Sequence, residues 1–409
     1  MKIFWLSVSP VAATGYGRIT REVVSRLLDR HEVICLAHEA DVIVWGGRKV
    51  YELPRGKKVT TLVFMNPMVN KKVCLEILTS YISMYRPDLI IAHWDAMALD
   101  FLNDLGFPFI EYIPVDGRLT EKWVSYTRYA LRVITYSRFG YEEFLKWLPP
   151  SKVAYIPHGI DTNLYRPLNT PKEELRAWLN EYVEPPIPED SFLYLYVAAN
   201  IGPRKLIPLL MRTFRKLASL YDDVHLLIWT NSYGQLGRAY DLLFYRHMLK
   251  LDKRVHFPKF NPILSALSEE DMVKLYNSAD VYVSNSVAEG FGLPIIEALA
   301  CGLPVIAPKN SSQVELVSGC GWLVDNVDPE SYVEIPIYVP YLTEYPVPDQ
   351  KDLLRKMIEA YEDERLRKYY SKKAREKALE YDWDKEIMPK WFKLLEELED
   401  ELNIIRSIR

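Results

Sequence analysis

Between Ser286 and Pro308 the chain reads SVAEGFGLPIIEALACGLPVIAP, with two carboxylates, Glu289 and Glu297, seven residues apart. Glu297 falls within PIIEALA, a helix-forming run with no other polar residue. A carboxylate in such surroundings needs a polar partner, and a diol or hydroxyl ligand would supply one. ADVYVSNSV before the loop reads as a strand and PIIEALACG after it as a helix. Pro294 suits the first helical position, where a missing N–H costs nothing, and Gly302 suits the stop. In the loop between, Gly290 and Gly292 let the backbone come close to a ligand and aim N–H groups at it. The helix N-terminus adds partial positive charge, a ready site for phosphate. Each glutamate alone has an ordinary explanation. The macrodipole favours a Glu in a first turn, and a loop Glu is usually just solvated. Joined to the Gly-x-Gly loop, the helix start and the apolar surroundings, the pair points to ligand binding.

Such a loop must be held by a scaffold. The 409 residues exceed the size at which single cores usually stop growing, so two domains are expected. Short runs rich in Val, Ile, Tyr and Phe recur with helix-length segments between them. KIFWLSVS, EVICLA, DVIVWG and DLIIAHWD mark the first half, and FLYLYVAAN, VHLLIWT and VYVSNSV the second. Runs apolar at every position suggest strands covered on both faces, as in parallel α/β sheets. Helices are expected over Gly17–Arg30, Leu206–Tyr221 and Glu269–Ser278. A polar segment carrying Pro167, Pro171, Pro185, Pro186 and Pro188 reads as a linker. The expected layout is therefore α/β, two Rossmann-like doubly wound domains: residues 1–168, a linker over 169–190, and residues 191–381. A charged helix over 382–409 would pack back on the first domain. Ligand should bind in the crevice at the carboxyl ends of the strands.

Composition narrows the class further. With 49% hydrophobic and 26% charged residues the chain looks like an ordinary soluble globular protein, and a net charge of -4 gives no pull toward nucleic acid. Cys35, Cys74, Cys301 and Cys320 are scattered with no CxxC pair, which argues against a zinc site or redox dithiol and for a reducing, cytoplasmic location. The start, MKIFWLSVSPVAA, loosely resembles a signal peptide, but the apolar run is short and Pro10 cuts it, so it reads as the first buried strand. No stretch approaches the roughly 20 apolar residues of a membrane span.

EGFGLPIIE resembles the Glu-x7-Glu signature of retaining glycosyltransferases of the GT-B fold, especially the large family 4, and ALACGLPVIAP resembles that family's continuation. The resemblance implies two Rossmann-like domains facing a central cleft, and transfer of a hexose from a nucleotide diphosphate sugar with its anomeric configuration kept. It places Glu289 at the donor sugar and Glu297 at the nucleotide ribose. The backbone amides of Phe291, Gly292 and Leu293, in the loop that Gly290 opens, would face the sugar and diphosphate. In AANIGPRKL it implies that Arg204 and Lys205 neutralise the donor diphosphate, which builds negative charge as it leaves. The commoner pattern is a Gly-Arg pair five residues before the Lys. Here Ala199-Asn200 stands there, so Asn200 joins the nucleotide-sugar-binding residues and the Arg has moved beside the Lys. His93, after DLIIA, resembles the family His that contacts the donor sugar. Gly15 and Gly17, in TGYGRIT, resemble the first-domain glycine loop beside the phosphates. Asp116, His158 and Asp161 lie in further strand-end loops. The resemblance implies no metal or other cofactor.

TGYGRIT also approaches a dinucleotide fingerprint, with Glu39 near the place of a ribose-binding acid. The third glycine is missing, and the first comes several residues after the strand, which leaves a nicotinamide oxidoreductase as a weak alternative. A nucleotide-sugar 2-epimerase of the same fold and a catalytically silent nucleotide-sugar binding protein also stay open. The acceptor, whether glycan, lipid or protein, is undetermined, and a peripheral membrane contact is left open.

Overall fold

The computed structural model describes residues 1–37, 47–200, 202–233, 240–262, 267–327, 332–338 and 341–408. The strand expected over DVIVWG, and Glu39, lie outside the described residues. The chain divides into two units. One comprises Met1–Val115, Leu119–Gly159 and Trp383–Arg409, and the other Asp116–Arg118 with Ile160–Asp382.

The first unit holds an eight-stranded sheet of β1 (Lys2–Ser7), β2 (Glu32–Ala37), β3 (Arg48–Leu53), β4 (Lys57–Val63), β5 (Leu89–Ala92), β6 (Phe109–Ile113), β7 (Val133–Thr135) and β8 (Val153–Tyr155). Their order is β3-β4-β2-β1-β5-β6-β7-β8. Only β3 runs antiparallel, at the edge, and its residues are largely exposed. β5 is apolar at every position and β1 from Ile3 to Leu6, and both are buried there, as sheets covered on both faces require. The helix Met388–Ile408 belongs to this unit. Its Trp391 ring sits 6.1 Å from Trp5 and 5.0 Å from Tyr112, and Asp384 just before it accepts from Arg26 at 2.9 Å.

The second unit holds β9 (Val183–Glu184), β10 (Phe192–Val197), β11 (Val224–Trp229), β12 (Val255–Pro258), β13 (Val281–Val283), β14 (Val305–Pro308) and β15 (Gly321–Val324), in the order β15-β14-β13-β10-β11-β12-β9. A separate hairpin, β16 (Tyr332–Tyr338) with β17 (Tyr341–Pro346), follows β15. Nothing in the apolar runs announced it.

The proline-rich segment 169–190 is not a linker. Lys172–Asn180 is a helix, and β9 adds antiparallel to β12 at the sheet edge. The physical reason is Arg176, which is buried and donates to the Ser278 carbonyl at 2.6 Å and to Asp280 at 3.0 Å. A buried guanidinium with satisfied donors fixes this segment to the second unit, whose boundary moves to Ile160. Among the described residues no helix is long and apolar enough to cross a membrane.

Candidate active site

In each sheet the strand order reverses beside the first long parallel strand, β1 in one and β10 in the other. The loops leaving that strand and its neighbour across the reversal are where open α/β sheets bind ligands. In the second unit these loops follow β10 and β13. They carry Arg204–Lys205 and Glu289 respectively.

Pro203–Lys205 forms a single 3-10 turn, and the helix Ile207–Ala218 starts after Leu206 in a left-handed conformation, φ 44°. Lys205 Nζ donates to Glu289 Oε1, while Arg204 Nη1 donates to Glu289 Oε2 at 3.2 Å and to the Ala288 carbonyl at 2.7 Å. The backbones lock as well, with Val287 N–H donating to the Arg204 carbonyl at 2.9 Å. Ser311 and Ser312 donate to the Glu289 carbonyl at 3.0 and 2.8 Å, and Ser311 Oγ accepts from Glu289 N–H. Burial pushes the Glu289 carboxyl up, but the charges of Lys205 and Arg204 and the hydrogen bonds of Lys205 and Ser286 outweigh it and bring it down to about 2. Burial, helped by the Arg204 charge, brings Lys205 down to about 8 against the pull of Glu289. At neutral pH this is an ionised carboxylate between two cations, with one net positive charge.

The helix Leu293–Ala300 begins after Gly292, whose φ of 98° is a conformation L side chains rarely adopt. Pro294 has no N–H and Ile295 N–H donates to the Gly292 carbonyl at 2.9 Å, so at the helix start only the Leu293 N–H has no acceptor inside the helix. Gly290 and Leu293 flank Gly292 in the same loop and helix start, and Phe291 is buried, its ring 5.8 Å from Tyr381. Glu297 is buried, and Tyr276 on the helix Glu269–Asn277 donates its hydroxyl to Glu297 Oε2. The polar partner expected from a ligand is therefore supplied in part by the protein. Asn200 stands apart from the charged group. Its amide nitrogen donates to the Asn231 and Tyr240 carbonyls at 3.0 and 2.7 Å, and its oxygen accepts from Tyr240 N–H. With both donors engaged on backbone, Asn200 ties two loops together. The structure thus brings Arg204, Lys205 and Glu289 together and leaves Asn200 out.

The corresponding loops of the first unit hold Gly15, Gly17 and His93. Thr14 caps the helix Gly15–Leu27 by accepting from Gly17 N–H. A Cβ on Gly17 would lie 2.5 Å from the Ala12 carbonyl oxygen, so close packing alone requires glycine there. Gly15 is exposed. His93 is wholly buried, with Tyr16 5.0 Å away between ring centroids and Tyr112 5.1 Å away. Ser7 Oγ donates its one hydrogen to the His93 carbonyl at 2.8 Å. The 3.3 Å contact of that oxygen with His93 Nδ1 must then be an Nδ1–H donation. The neutral ring keeps its lone pair on Nε2, which has no hydrogen-bond partner. Burial holds the ring down at about 3. His93 can accept from a hydroxyl but carries no charge at pH 7. The other strand-end loop residues diverge. His158 accepts or donates to the Tyr112 hydroxyl at 2.6 Å inside the same aromatic cluster, and Asp161 caps its own turn through Asn163 N–H.

Sequence reasoning left Ser311, Ser312, Tyr276 and Tyr345 without a role and gave Asp116 none beyond its loop. Asp116 Oδ2 lies 3.6 Å from Arg204, and Tyr345 donates to Asp116 Oδ1 at 2.9 Å. Hydroxyls and a lone Asp carry no spacing signal that would single them out. Among the described residues no group of three or more His, Cys, Asp or Glu could hold a metal ion.

Residues 180–337 match the model of the family described as glycosyl transferases group 1. The chain is 27% identical over 206 residues to a probable sucrose-phosphate synthase of Thermosipho melanesiensis, an alignment covering 49% of this chain and 43% of that protein. This and further curated relatives are matched over less than half of their own length. Solved structures align over nearly the whole chain. Sucrose-phosphate synthase from Thermosynechococcus elongatus superposes with TM-score 0.75 at 19% identity, covering 98% of this chain and 100% of that one. Anabaena HepE, solved in complex with UDP and glucose, gives 0.71 at 20% identity, again with 98% and 100% covered. The two sheets have the GT-B fold of these neighbours. More particularly, the Glu289–Glu297 stretch lies within residues 180–337, the part of the chain that matches the glycosyl transferases group 1 model.

Proposed function

We propose that the chain is a retaining glycosyltransferase that moves a hexose from a nucleoside diphosphate sugar to an acceptor hydroxyl. The observation that carries this reading is the cluster of Arg204 and Lys205 on Glu289, at the carboxyl ends of β10 and β13 beside a helix N-terminus. A diphosphate offers these cations the same acceptor chemistry as the Glu289 carboxylate. UDP in the HepE structure supports a nucleoside diphosphate as the donor's leaving portion.

In the step proposed, the bond between the anomeric carbon and the diphosphate oxygen breaks and its electron pair stays on that oxygen. The acceptor hydroxyl oxygen bonds to the anomeric carbon on the same face, and its proton passes to the departing phosphate. Arg204, Lys205 and the N–H groups at Gly292 and Leu293 stabilise charge that grows on the diphosphate, so they act more strongly in the transition state than in the ground state. Glu289 holds the cations in place and offers a carboxylate to sugar hydroxyls. Glu297, which already accepts from the Tyr276 hydroxyl, offers one to the ribose. With two protein cations on the leaving group, the proposed step calls for no metal.

The test is incubation with labelled UDP-glucose and GDP-mannose, with and without a glycan extract. Transfer of label to an acceptor, with the anomeric configuration of the donor kept by NMR, is the expected result. Epimerised donor without transfer, or donor unchanged under both conditions, overturns the proposal.

A further inference from the structure

Tyr345 lies on β17, in the hairpin that among the described residues pairs with no other strand, and beyond the residues 180–337 that match the family model. Its side chain is fully buried and packs with Val287, Ala288 and Leu206. Val287 and Ala288 immediately precede Glu289, and Leu206 immediately follows Lys205. The hairpin is also tied to this loop by Asn310, whose amide nitrogen donates to the Val287 carbonyl at 2.8 Å and the Pro346 carbonyl at 3.3 Å. At the polar end of the ring, the hydroxyl donates to Asp116 Oδ1 at 2.9 Å, and Asp116 Oδ2 lies 3.6 Å from Arg204 Nη1. That same Nη1 donates to Ala288 and Glu289.

Arg204 thus stands between two carboxylates, and only Asp116 has one oxygen occupied by a tyrosine hydroxyl. A carboxylate with one oxygen so engaged competes less well for a guanidinium, because bidentate pairing needs both oxygens. We infer that Tyr345 is a positioning residue for Arg204, holding Asp116 back so that the guanidinium stays available to the donor diphosphate. The inference rests on the reading of Arg204 proposed above. It makes the hairpin a support for the diphosphate site that residues 180–337 do not complete by themselves.

Calorimetric titration of the full chain with UDP, GDP and their parent nucleosides tests it. Tyr345→Phe should raise the Kd for the diphosphate that the wild type binds about fivefold to tenfold, as expected for one hydrogen bond acting on a charged group. Affinity for the parent nucleoside should not change. Asp116→Asn removes the competing charge, so adding it to Tyr345→Phe should restore diphosphate affinity, which a purely structural role of Tyr345 would not permit. Asp116→Asn alone should bind diphosphate as well as or better than the wild type. This keeps the idea testable if Tyr345→Phe does not fold. Equal diphosphate affinity in Tyr345→Phe and wild type, no rescue by Asp116→Asn, or weaker binding by Asp116→Asn alone overturns the inference. A wild type that binds neither diphosphate overturns the donor reading, and the inference with it.

Discussion

The two switch-point loops share a topology and differ in chemistry. Beside β1 and β5, His93 is neutral, enclosed by aromatic rings, and its polar contacts are to Ser7. Beside β10 and β13, Arg204, Lys205 and Glu289 are all ionised at neutral pH and within reach of one another. The glutamates of the two units diverge in the same way. Glu111 on β6 has neither carboxylate oxygen hydrogen-bonded, and burial, with Asp100 nearby, pushes its pKa well above the usual range. Glu289 is held at about 2 despite burial, because two cations face it. A buried carboxyl without a cation keeps its proton, and one beside two cations loses it. The same scaffold thus yields a packing site in one unit and a charged site in the other.

The largest effect that would break this contrast comes from the cations. Replacing Arg204 and Lys205 together by Ala should slow donor turnover by about 100-fold or more, the scale for losing donors that meet developing charge. Steady-state rates measured with the donor that the wild type uses will check it. A drop of only a few-fold would mean that the diphosphate is held elsewhere and that the second switch point is not the charged site.

A smaller effect follows from Lys205, which burial brings down to about 8. If its ammonium is needed, kcat/KM should fall about tenfold per pH unit above pH 8, where the free enzyme loses that proton. In Lys205→Arg the limb should disappear, since guanidinium stays protonated throughout this range. A wild-type profile flat to pH 9.5 would remove Lys205 from the charge-bearing role.

The smallest effects are on stability, and they have opposite signs. Glu289 has a folded pKa below its unfolded one. Its contribution is present above the ordinary carboxylate range near pH 4.5 and is lost as pH falls toward 2. Glu111 has a folded pKa above its unfolded one, so its contribution is full below about pH 4.5 and is lost as pH rises. At pH 7, Glu289→Met should therefore destabilise the chain by about 1–3 kcal/mol, because it leaves Arg204 and Lys205 without their carboxylate. Glu111→Met should stabilise by on the order of 1 kcal/mol, because it removes an unsatisfied buried polar group. Urea unfolding at pH 7 measures both. Shifts of the same sign would show that the two glutamates do not differ as described.

Much of this was legible in the chain itself. The central strands are mostly apolar because both faces of a parallel sheet are covered, and that pattern is local. Glu289, Gly292, Pro294 and Glu297 announce a loop and helix start by spacing alone, and Arg204–Lys205 lie close to the strand that must precede them. The tertiary structure decided the partners. Arg176 turned a proline-rich segment from an expected linker into part of the second sheet, through contacts with Ser278 and Asp280 roughly a hundred residues on. Asn200 was turned toward Asn231 and Tyr240, and Glu297 toward Tyr276. Asp116 and Tyr345 became neighbours of Arg204 though they lie 229 residues apart in the chain. Periodicity and motif spacing report what a residue's near neighbours in sequence require. Which oxygen a guanidinium or hydroxyl finally meets depends on where distant loops end, and that is set only when the strands take their order in the sheet.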